Sequence, residues 1–149
     1  MNLWIASDHA GYKMKEQIKL YLNELQISFI DLGTKSEESV DYPNYAFLLG
    51  TEVAADQNNL GILVCGTGIG MSIACNKVRG IRCAKVMNVE ETILTRSHNN
   101  ANVIAISSKS NGEEVKKIVN AFLKTPFSNE ERHVRRVNQI ADYEKQDGN

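Results

Sequence analysis

The strongest constraint on the fold is a regular alternation of short apolar runs with longer amphipathic segments. Five runs have the length of β-strands and contain few polar residues: 3–6, 27–32, 60–64, 81–86 and 103–106. Between them lie segments in which apolar residues recur at helical spacing. Strands that read as nearly continuous apolar runs are typical of parallel sheets that helices cover on both faces.

This alternation predicts an α/β fold with one domain over residues 1–149, since the chain shows no internal linker or repeat. We expect a doubly wound, Rossmann-like five-stranded parallel sheet with helices on both faces. A final helix is predicted at about 129–144, after the last strand. Because it carries much polar surface, we expect this extra C-terminal helix to lie partly at a subunit interface.

Charge and cysteine content exclude several classes of protein. The 17 Lys and Arg residues nearly balance the 18 Asp and Glu residues, so nothing indicates binding to nucleic acid or to a membrane surface. No apolar run approaches the ~18 residues of a membrane span, and the N-terminus lacks the basic start of a signal peptide. The three cysteines have no zinc-ligand spacing. We therefore expect a cytoplasmic protein with free thiols and no metal site.

The most distinctive chemistry lies at Cys65 and the glycine-rich loop that follows the third predicted strand. Gly66, Gly68 and Gly70 allow the backbone to turn several N–H groups toward one point, and a helix start adds positive charge. Such a loop would stabilise the Cys65 thiolate, which could then act as a base or a nucleophile. The glycine spacing fits neither the dinucleotide fingerprint nor a P-loop. The alternatives are a thiol that only packs and a purely structural turn; Thr67 is either a surface hydroxyl or a proton carrier.

Other candidate residues follow from the rule that parallel sheets bind ligands at the carboxyl ends of their strands. Asp8 and His9 end the first strand, either as a helix cap or as substrate contacts. His98 is either a cation at a helix C-terminus or an acid/base group. Since His98 precedes the fifth strand, it should lie toward the opposite edge and reach Cys65 from a neighbouring chain. This topology favours an active dimer.

The last predicted helix carries a basic cluster. Arg132, Arg135 and Arg136 fall within one sector of about 100° at ~100° per residue. They form either a solvated face or a phosphate clamp, for which the forked guanidinium is well suited. Together with the glycine loop, a clamp would suit a small substrate on which an oxyanion forms at one end and a phosphate lies at the other.

Several short motifs occur in order and together resemble one enzyme family. They are Asp8-His9-Ala10-Gly11, Asp41-Tyr42-Pro43, Cys65-Gly66-Thr67-Gly68 with Gly70 and Ser72, Asn76-Lys77, Gly80-Ile81-Arg82, His98-Asn99 and Asn102-Val103. In this combination the chain resembles ribose-5-phosphate isomerase of the B type, in the family shared with galactose-6-phosphate isomerase subunits. The match runs from Asp8 to Arg136.

The resemblance implies an aldose–ketose isomerase that interconverts ribose 5-phosphate and ribulose 5-phosphate through an enediolate, without metal or cofactor. Cys65 would move the proton between C2 and C1, Thr67 would assist at the sugar oxygens, and the amides of 66–70 would hold the enediolate oxygen. His98 would open the furanose ring, with Asp8 nearby. The implied substrate-binding residues are His9, Tyr42, Gly66, Gly68, Gly70, Asn99, Arg132 and Arg136.

The family is dimeric or tetrameric, which implies a homodimer or homotetramer with shared sites and a small sugar phosphate as the substrate. Lys109 stands where many members carry Arg, and Cys75 stands where Ala is common. The galactose enzyme works as two different subunits. Here Cys65, His98, Arg132 and Arg136 lie in one chain, which favours the ribose enzyme.

Three alternatives to the ribose enzyme stay open at the level of sequence. The nearest is an isomerase for a six-carbon aldose phosphate such as allose or galactose 6-phosphate. A Cys–His hydrolase would use Cys65 to attack carbon and the loop as an oxyanion hole. The third is a sugar-phosphate-binding module without catalysis.

Overall fold

A computed structural model describes residues 1–146, so 147–149 of the predicted domain lie outside the described part. It contains one parallel sheet of five strands in the order β2-β1-β3-β5-β4. The strands are β1 (Leu3–Ser7), β2 (Ile30–Asp31), β3 (Leu60–Cys65), β4 (Cys83–Lys85) and β5 (Val103–Ser107). The helices are α1 (Tyr12–Glu24), α2 (Tyr42–Ala54), α3 (Ile69–Cys75), α4 (Val89–Asn99), α5 (Gly112–Lys124) and α6 (Glu131–Gln146). The predicted α/β class and parallel sheet are confirmed.

Strand β3 forms the centre of the sheet. It pairs with β1 from Leu3 opposite Leu60 onward, and with β5 from Gly61 opposite Val103 onward. All its residues are buried. A Cβ atom on Gly61 would lie 2.5 Å from a methyl carbon of Leu49, so only glycine lets α2 pack this closely. Strand β3 is therefore held by β1 and β5 at its two sides and by α2 on one face of the sheet.

The sheet separates two apolar cores, as the doubly wound prediction requires. One core packs α1 and α5 on one face, with Ile5, Ile62 and Ile104 pointing into it. The other packs α2 and α3 on the opposite face, with Leu63 and Cys65 among its members. Neighbouring residues of β3 alternate between the cores because side chains alternate across a strand.

The two edge strands are shorter than the sequence predicts. The run 27–32 forms β2 only at Ile30–Asp31, and the run 81–86 forms β4 only at Cys83–Lys85. Each pairs with a single neighbour, so only part of its backbone can join the ladder. Strand β3 is buried throughout, and β1 and β5 are buried at all but one residue each, whereas no residue of β2 or β4 is fully buried.

A charged cluster fastens α1 to β2. Lys15 is fully buried, and its Nζ lies 2.7 Å from both carboxylate oxygens of Asp31. Lys19 also reaches Asp31 at 2.7 Å. Burial alone would raise the pKa of Asp31, but hydrogen bonds from the two lysines and the Gly33 N–H outweigh it and lower that pKa. The cluster is ionised at neutral pH and gives the short strand β2 a side-chain anchor.

Helix α6 follows the last strand, as predicted, and begins at Glu131 rather than 129. It packs mainly on α4. Along this helix only His133 is buried. A subunit contact for α6 stays a prediction. Among residues 1–146, no helix combines the length and apolarity needed to span a membrane, and no His, Cys, Asp or Glu side chains cluster as metal ligands would.

Candidate active site

Cys65 is the last residue of β3 and lies at the carboxyl edge of the sheet. Its side chain is only 4% exposed and belongs to the core on the α2 and α3 side. The N–H of Gly68 donates to its Sγ at 3.1 Å. A backbone donor aimed at the sulfur also fixes where the side chain of Cys65 points. The predicted juxtaposition of thiol and loop amide is therefore present.

The conformation of Gly68 places its N–H toward the sulfur. Gly68 has φ +77°, a left-handed conformation that glycine adopts readily. A Cβ atom there would lie 3.2 Å from the carbonyl carbon of Ile106 and 3.3 Å from Lys85 Cγ. Helix α3 begins directly after it at Ile69. The loop is consequently a tight turn that leads directly into the seven-residue helix α3.

Two further contacts fix the loop. The Ser107 hydroxyl donates to the Gly66 carbonyl at 2.8 Å, which ties the loop to the end of β5. Thr67 is exposed, and its Oγ1 accepts the Ile69 N–H at 3.2 Å. Thr67 thus lies at the surface beside the thiol, with its own hydroxyl proton free to be donated.

Tyr42 packs against the same loop. It begins α2, and its side chain is exposed by 40%. A Cβ atom on Gly70 would lie 2.7 Å from the tyrosine ring. The structure therefore gives Gly70 a packing role: it lets the ring of Tyr42 approach the loop.

The loop after β1 lies beside the glycine loop. Asp8 is buried, and its Oδ1 accepts the Gly11 N–H at 2.9 Å. Asp8 also donates its own N–H to the Val64 carbonyl at 3.2 Å. A Cβ atom on Gly66 would lie 3.8 Å from that of Ala10, so the two loops are in ordinary contact. Asp8 thus turns the chain and brings the residues after β1 next to Cys65.

His9 is held by the segment before α2. Its Nδ1 lies 3.1 Å from the backbone nitrogen of Val40 and 3.2 Å from the Val40 carbonyl oxygen. The backbone of Val40 therefore occupies Nδ1. Nε2 is the ring nitrogen left to contact a ligand at this edge.

A cavity of about 500 Å³ lies beside Thr67 at this edge. Lys85 and Lys109 give its wall positive charge, and Glu114 adds one negative charge. The Lys109 N–H donates to Ser107 Oγ at 3.1 Å, so its backbone is linked to the hydroxyl that holds the glycine loop.

The structure does not bring the other predicted site residues to this edge. His98 and Asn99 end α4, which runs from the carboxyl end of β4 back to the amino end of β5. They lie at the opposite edge, as the topology predicts. The Asn99 carbonyl accepts a hydrogen bond from Arg82 Nε at 3.1 Å.

The basic cluster predicted as a solvated face or a phosphate clamp is exposed on α6 at all three arginines, Arg132, Arg135 and Arg136. Arg132 forms an ion pair with Glu130. Arg136 borders a cavity of about 820 Å³ together with Lys77, Arg79 and Tyr143. Both arginines belong to the helix that packs on α4, and so to the same end of the molecule as His98.

Sequence reasoning missed His133, which lies between the two arginines. Its ring stacks on that of His98, with centroids 4.2 Å apart and planes tilted by 30°. The available signal was its position on α6. His133 and Val137 are one turn apart, as expected on the face of a helix that packs.

The remaining two cysteines, Cys75 and Cys83, have packing roles. Cys75 is fully buried in α3, and Cys83 lies partly buried in β4. A hydrogen bond with the Cys75 thiol, together with burial and the nearby Cys65 sulfur, raises the pKa of Cys83 well above its usual range. Cys83 is therefore a protonated thiol at neutral pH.

Comparison with known proteins assigns the family. The model of the Ribose/Galactose Isomerase family matches residues 3–140. The chain is 41% identical to ribose-5-phosphate isomerase B of Mycolicibacterium paratuberculosis, over 97% of this chain and 92% of that protein. It matches the structure of ribose-5-phosphate isomerase B from Clostridium thermocellum with a TM-score of 0.93 and 39% identity, covering 98% and 99% of the two chains.

A second solved structure is that of ribose-5-phosphate isomerase B from Mycoplasma genitalium with bound ribulose-5-phosphate. It matches with a TM-score of 0.92 and 42% identity, covering 97% of this chain and 96% of that one. Identity of this extent over nearly the whole length, together with the same fold, is consistent with the motifs around Cys65 and His98. The chain belongs to the ribose/galactose isomerase family.

Proposed function

We propose that this protein is an aldose–ketose isomerase that interconverts ribose 5-phosphate and ribulose 5-phosphate. The observation that carries the proposal is the Gly68 N–H at 3.1 Å from Cys65 Sγ, at the sheet edge where Asp8, His9 and Thr67 also lie. The names of the relatives and the ribulose-5-phosphate bound to one of them support the choice of a five-carbon substrate.

In the proposed reaction Cys65 acts as the base. Its thiolate removes the proton from C2 of the open-chain aldose, which gives an enediolate, and returns a proton to C1 to give the ketose. A proton moves from O2 to O1 in the same conversion, and the Thr67 hydroxyl is placed to carry it. Preorganised donors near the developing oxyanion are worth about 2.7–4 kcal/mol each. The amides of 66–70 are proposed to supply them, apart from those of Gly68 and Ile69, which already donate to Cys65 Sγ and Thr67 Oγ1.

The phosphate is proposed to bind far from the reacting carbons, at His9, Arg132 and Arg136. Nε2 of His9 is proposed to contact the phosphate at the Cys65 edge, since the Val40 backbone already occupies Nδ1. Binding energy from a remote phosphate holds C1 and C2 in register with the base. Tyr42 and Asn99 are proposed to line the sugar.

We propose that the site is completed by a second copy of the chain. His98, Asn99, Arg132 and Arg136 lie at the opposite end of the molecule from Cys65. A homodimer, or a tetramer of two such dimers, would bring these residues of one copy to the Cys65 edge of the other. A single domain spanning 1–149 in each copy would then contribute to two sites.

A cytoplasmic location is proposed on the basis of the cysteines. Cys65, Cys75 and Cys83 are all free thiols, a state that a reducing compartment maintains. The proposed activity belongs to the pentose phosphate pathway.

The decisive experiment follows ribose 5-phosphate in heavy water by proton NMR. An isomerase consumes the C2 proton signal, forms ketose, and incorporates solvent deuterium at C1 where the base exchanges its proton. Cys65→Ala should lower kcat by at least about 10²-fold, since it removes the acid–base group. Cys75→Ala is the matched control, because it removes a buried thiol outside the site and should keep activity.

The same experiment separates the alternatives. Binding without conversion would identify a sugar-phosphate-binding module. Faster conversion of allose or galactose 6-phosphate would identify a six-carbon enzyme. Full activity in Cys65→Ala would overturn Cys65 as the base.

A further inference from the structure

We propose that His133 is a positioning residue for His98: it holds the His98 ring in the orientation needed to open the sugar ring. This inference rests on the proposed function, in which His98 of one copy acts at the Cys65 site of the other. The two rings stack with their centroids 4.2 Å apart. His133 is 4% exposed, whereas His98 is exposed. One imidazole is therefore fixed in the protein, and the other lies on it facing outward.

A hydroxyl group holds the buried ring. Ser128 Oγ lies 2.7 Å from His133 Nδ1 and also accepts the Glu130 N–H at 3.2 Å. Because the backbone N–H occupies an acceptor site of the oxygen, the hydroxyl proton is free to point at Nδ1. This arrangement suits a neutral His133 with its proton on Nε2.

The same serine ties the two helices together. The Ser128 N–H donates to the Ser97 carbonyl at 3.0 Å, one residue before His98. Through its backbone N–H and its hydroxyl, Ser128 thus links the last turn of α4 to His133 in the first turn of α6. The stacked rings are consequently held in place by a backbone hydrogen bond and a side-chain hydrogen bond of Ser128.

The charges around His133 favour its neutral form. Burial, followed by His98, Arg132 and Arg136, lowers the pKa of His133, and Glu130 opposes this effect. Two imidazolium rings at 4.2 Å would repel each other. A second positive charge on His133, beneath His98, is therefore disfavoured.

The orientation of the His98 ring matters for opening of the sugar ring. When the furanose opens, the C1–O4 bond breaks, the proton leaves O1 and a proton arrives on O4, so the net change is a transfer from O1 to O4. His98 can accept and return that proton if its ring is correctly aimed. A neutral partner beneath it, held by Ser128, keeps the His98 ring in one orientation.

The test compares two reactions of the full-length protein. Ribose 5-phosphate is mostly a closed furanose and must be opened. Ribulose 5-phosphate is acyclic because its O5 carries the phosphate, so exchange of its C1 proton with heavy water needs no ring opening. Damage confined to His98 should slow the first reaction and spare the second.

Three variants on this stack give the expected pattern. His133→Leu should lower kcat for ribose 5-phosphate about tenfold with little change in KM, while C1 exchange stays within about twofold. His133→Phe retains an aromatic face and should recover activity to within about threefold of the wild type. Ser128→Ala should give an intermediate loss. Asn138→Ala, exposed on the same helix, is the control and should match the wild type.

A readout independent of activity uses nitrogen NMR of the histidine rings at neutral pH. His133 should show a protonated Nε2 and an unprotonated Nδ1, and Ser128→Ala should shift the Nδ1 signal. A doubly protonated His133 would overturn the proposal, as would equal losses in both reactions or no loss in His133→Leu. If the wild type itself neither isomerises nor exchanges, the proposed function fails, and the NMR result still decides the state of the stack.

Discussion

At the residue scale, the backbone of Gly68 decides where the proposed anion-stabilising donor points. Its positive φ directs the N–H toward the sulfur of Cys65. In the sequence, Gly66, Gly68 and Gly70 look alike, but they have different tasks in the structure. Gly68 needs its conformation, Gly70 makes room for Tyr42, and Gly66 has space for a side chain.

The glycine assignment predicts the effect of Gly68→Ala. A left-handed conformation costs an alanine about 1–2 kcal/mol, and the new Cβ would press on the Ile106 carbonyl. We expect loss of stability of that size in urea unfolding, and a lower kcat because the donor to Cys65 moves. For stability the matched control is Gly66→Ala, which should unfold at nearly the wild-type urea concentration. Equal destabilisation of the two variants would contradict the assignment.

His133 predicts a pH dependence of stability. Because its pKa is lowered in the folded protein, the unfolded chain takes up the proton first, as pH falls through about 6.5. The unfolding free energy should therefore decrease below that pH until the folded protein is also protonated. His133→Asn should reduce this slope when urea unfolding is compared at pH 7.5 and 5.5. Unchanged slopes would show that His133 is not the group responsible.

At the scale of elements, the shortest strand depends on a charged anchor. Strand β2 has two residues, and Asp31 connects it to the fully buried Lys15 of α1. The backbone ladder of two residues gives little stability by itself. The contacts of Lys15 and Lys19 with Asp31 therefore contribute much of what holds this edge.

Removing that anchor should be costly. Asp31→Asn leaves the buried Lys15 with Glu16, whose Oε1 lies 3.3 Å from its Nζ, as its remaining counter-charge. Breaking a buried ion pair typically costs about 3–5 kcal/mol, and the contact with Glu16 should hold the loss toward the lower end of that range. Urea unfolding should show this loss at pH 7. Glu37→Gln is the control, because its ion pair with Lys13 is exposed and such pairs contribute at most about 1 kcal/mol. A loss under about 1 kcal/mol for Asp31→Asn would mean that water or another group solvates Lys15.

At the scale of the whole molecule, the proposed site is divided between two ends of one chain. This division leads to a complementation test with two inactive variants, Cys65→Ala and His98→Asn. In a mixed dimer, one site combines the intact Cys65 of one copy with the intact His98 of the other. Equal mixing after unfolding and refolding should restore about a quarter of the wild-type activity, since half of the dimers are mixed and each has one good site.

Two outcomes would contradict the shared site. The first is no recovery after mixing, although each variant alone forms dimers. The second is full activity of a protein that stays monomeric at assay concentration. Arg136→Ala provides a separate check, because loss of the phosphate contact should raise KM more than it changes kcat.

Much of the fold could be predicted because local pattern and topology agree. Apolar periodicity predicts helices at about 12–25, 44–56, 89–98 and 112–123, and α1, α2, α4 and α5 begin and end within two residues of these bounds. The inner strands β1, β3 and β5 could be predicted equally well, because a strand that is covered on both faces of the sheet has an almost continuous apolar sequence. The edges β2 and β4 were overestimated, because how much of an edge strand joins the ladder depends on its single neighbour rather than on its own residues.

By itself the sequence determined the α/β class, the family, and the residues at which the proposed chemistry collects. These follow from hydrophobic period, glycine placement and motif order, which are properties of the chain read locally. The parallel topology was also enough to separate His98 from Cys65. Only the tertiary structure decided which glycine directs an N–H at the sulfur, and that Ser128 and His133 support His98. Those arrangements depend on backbone angles and on contacts between distant segments, which no local pattern of residues encodes.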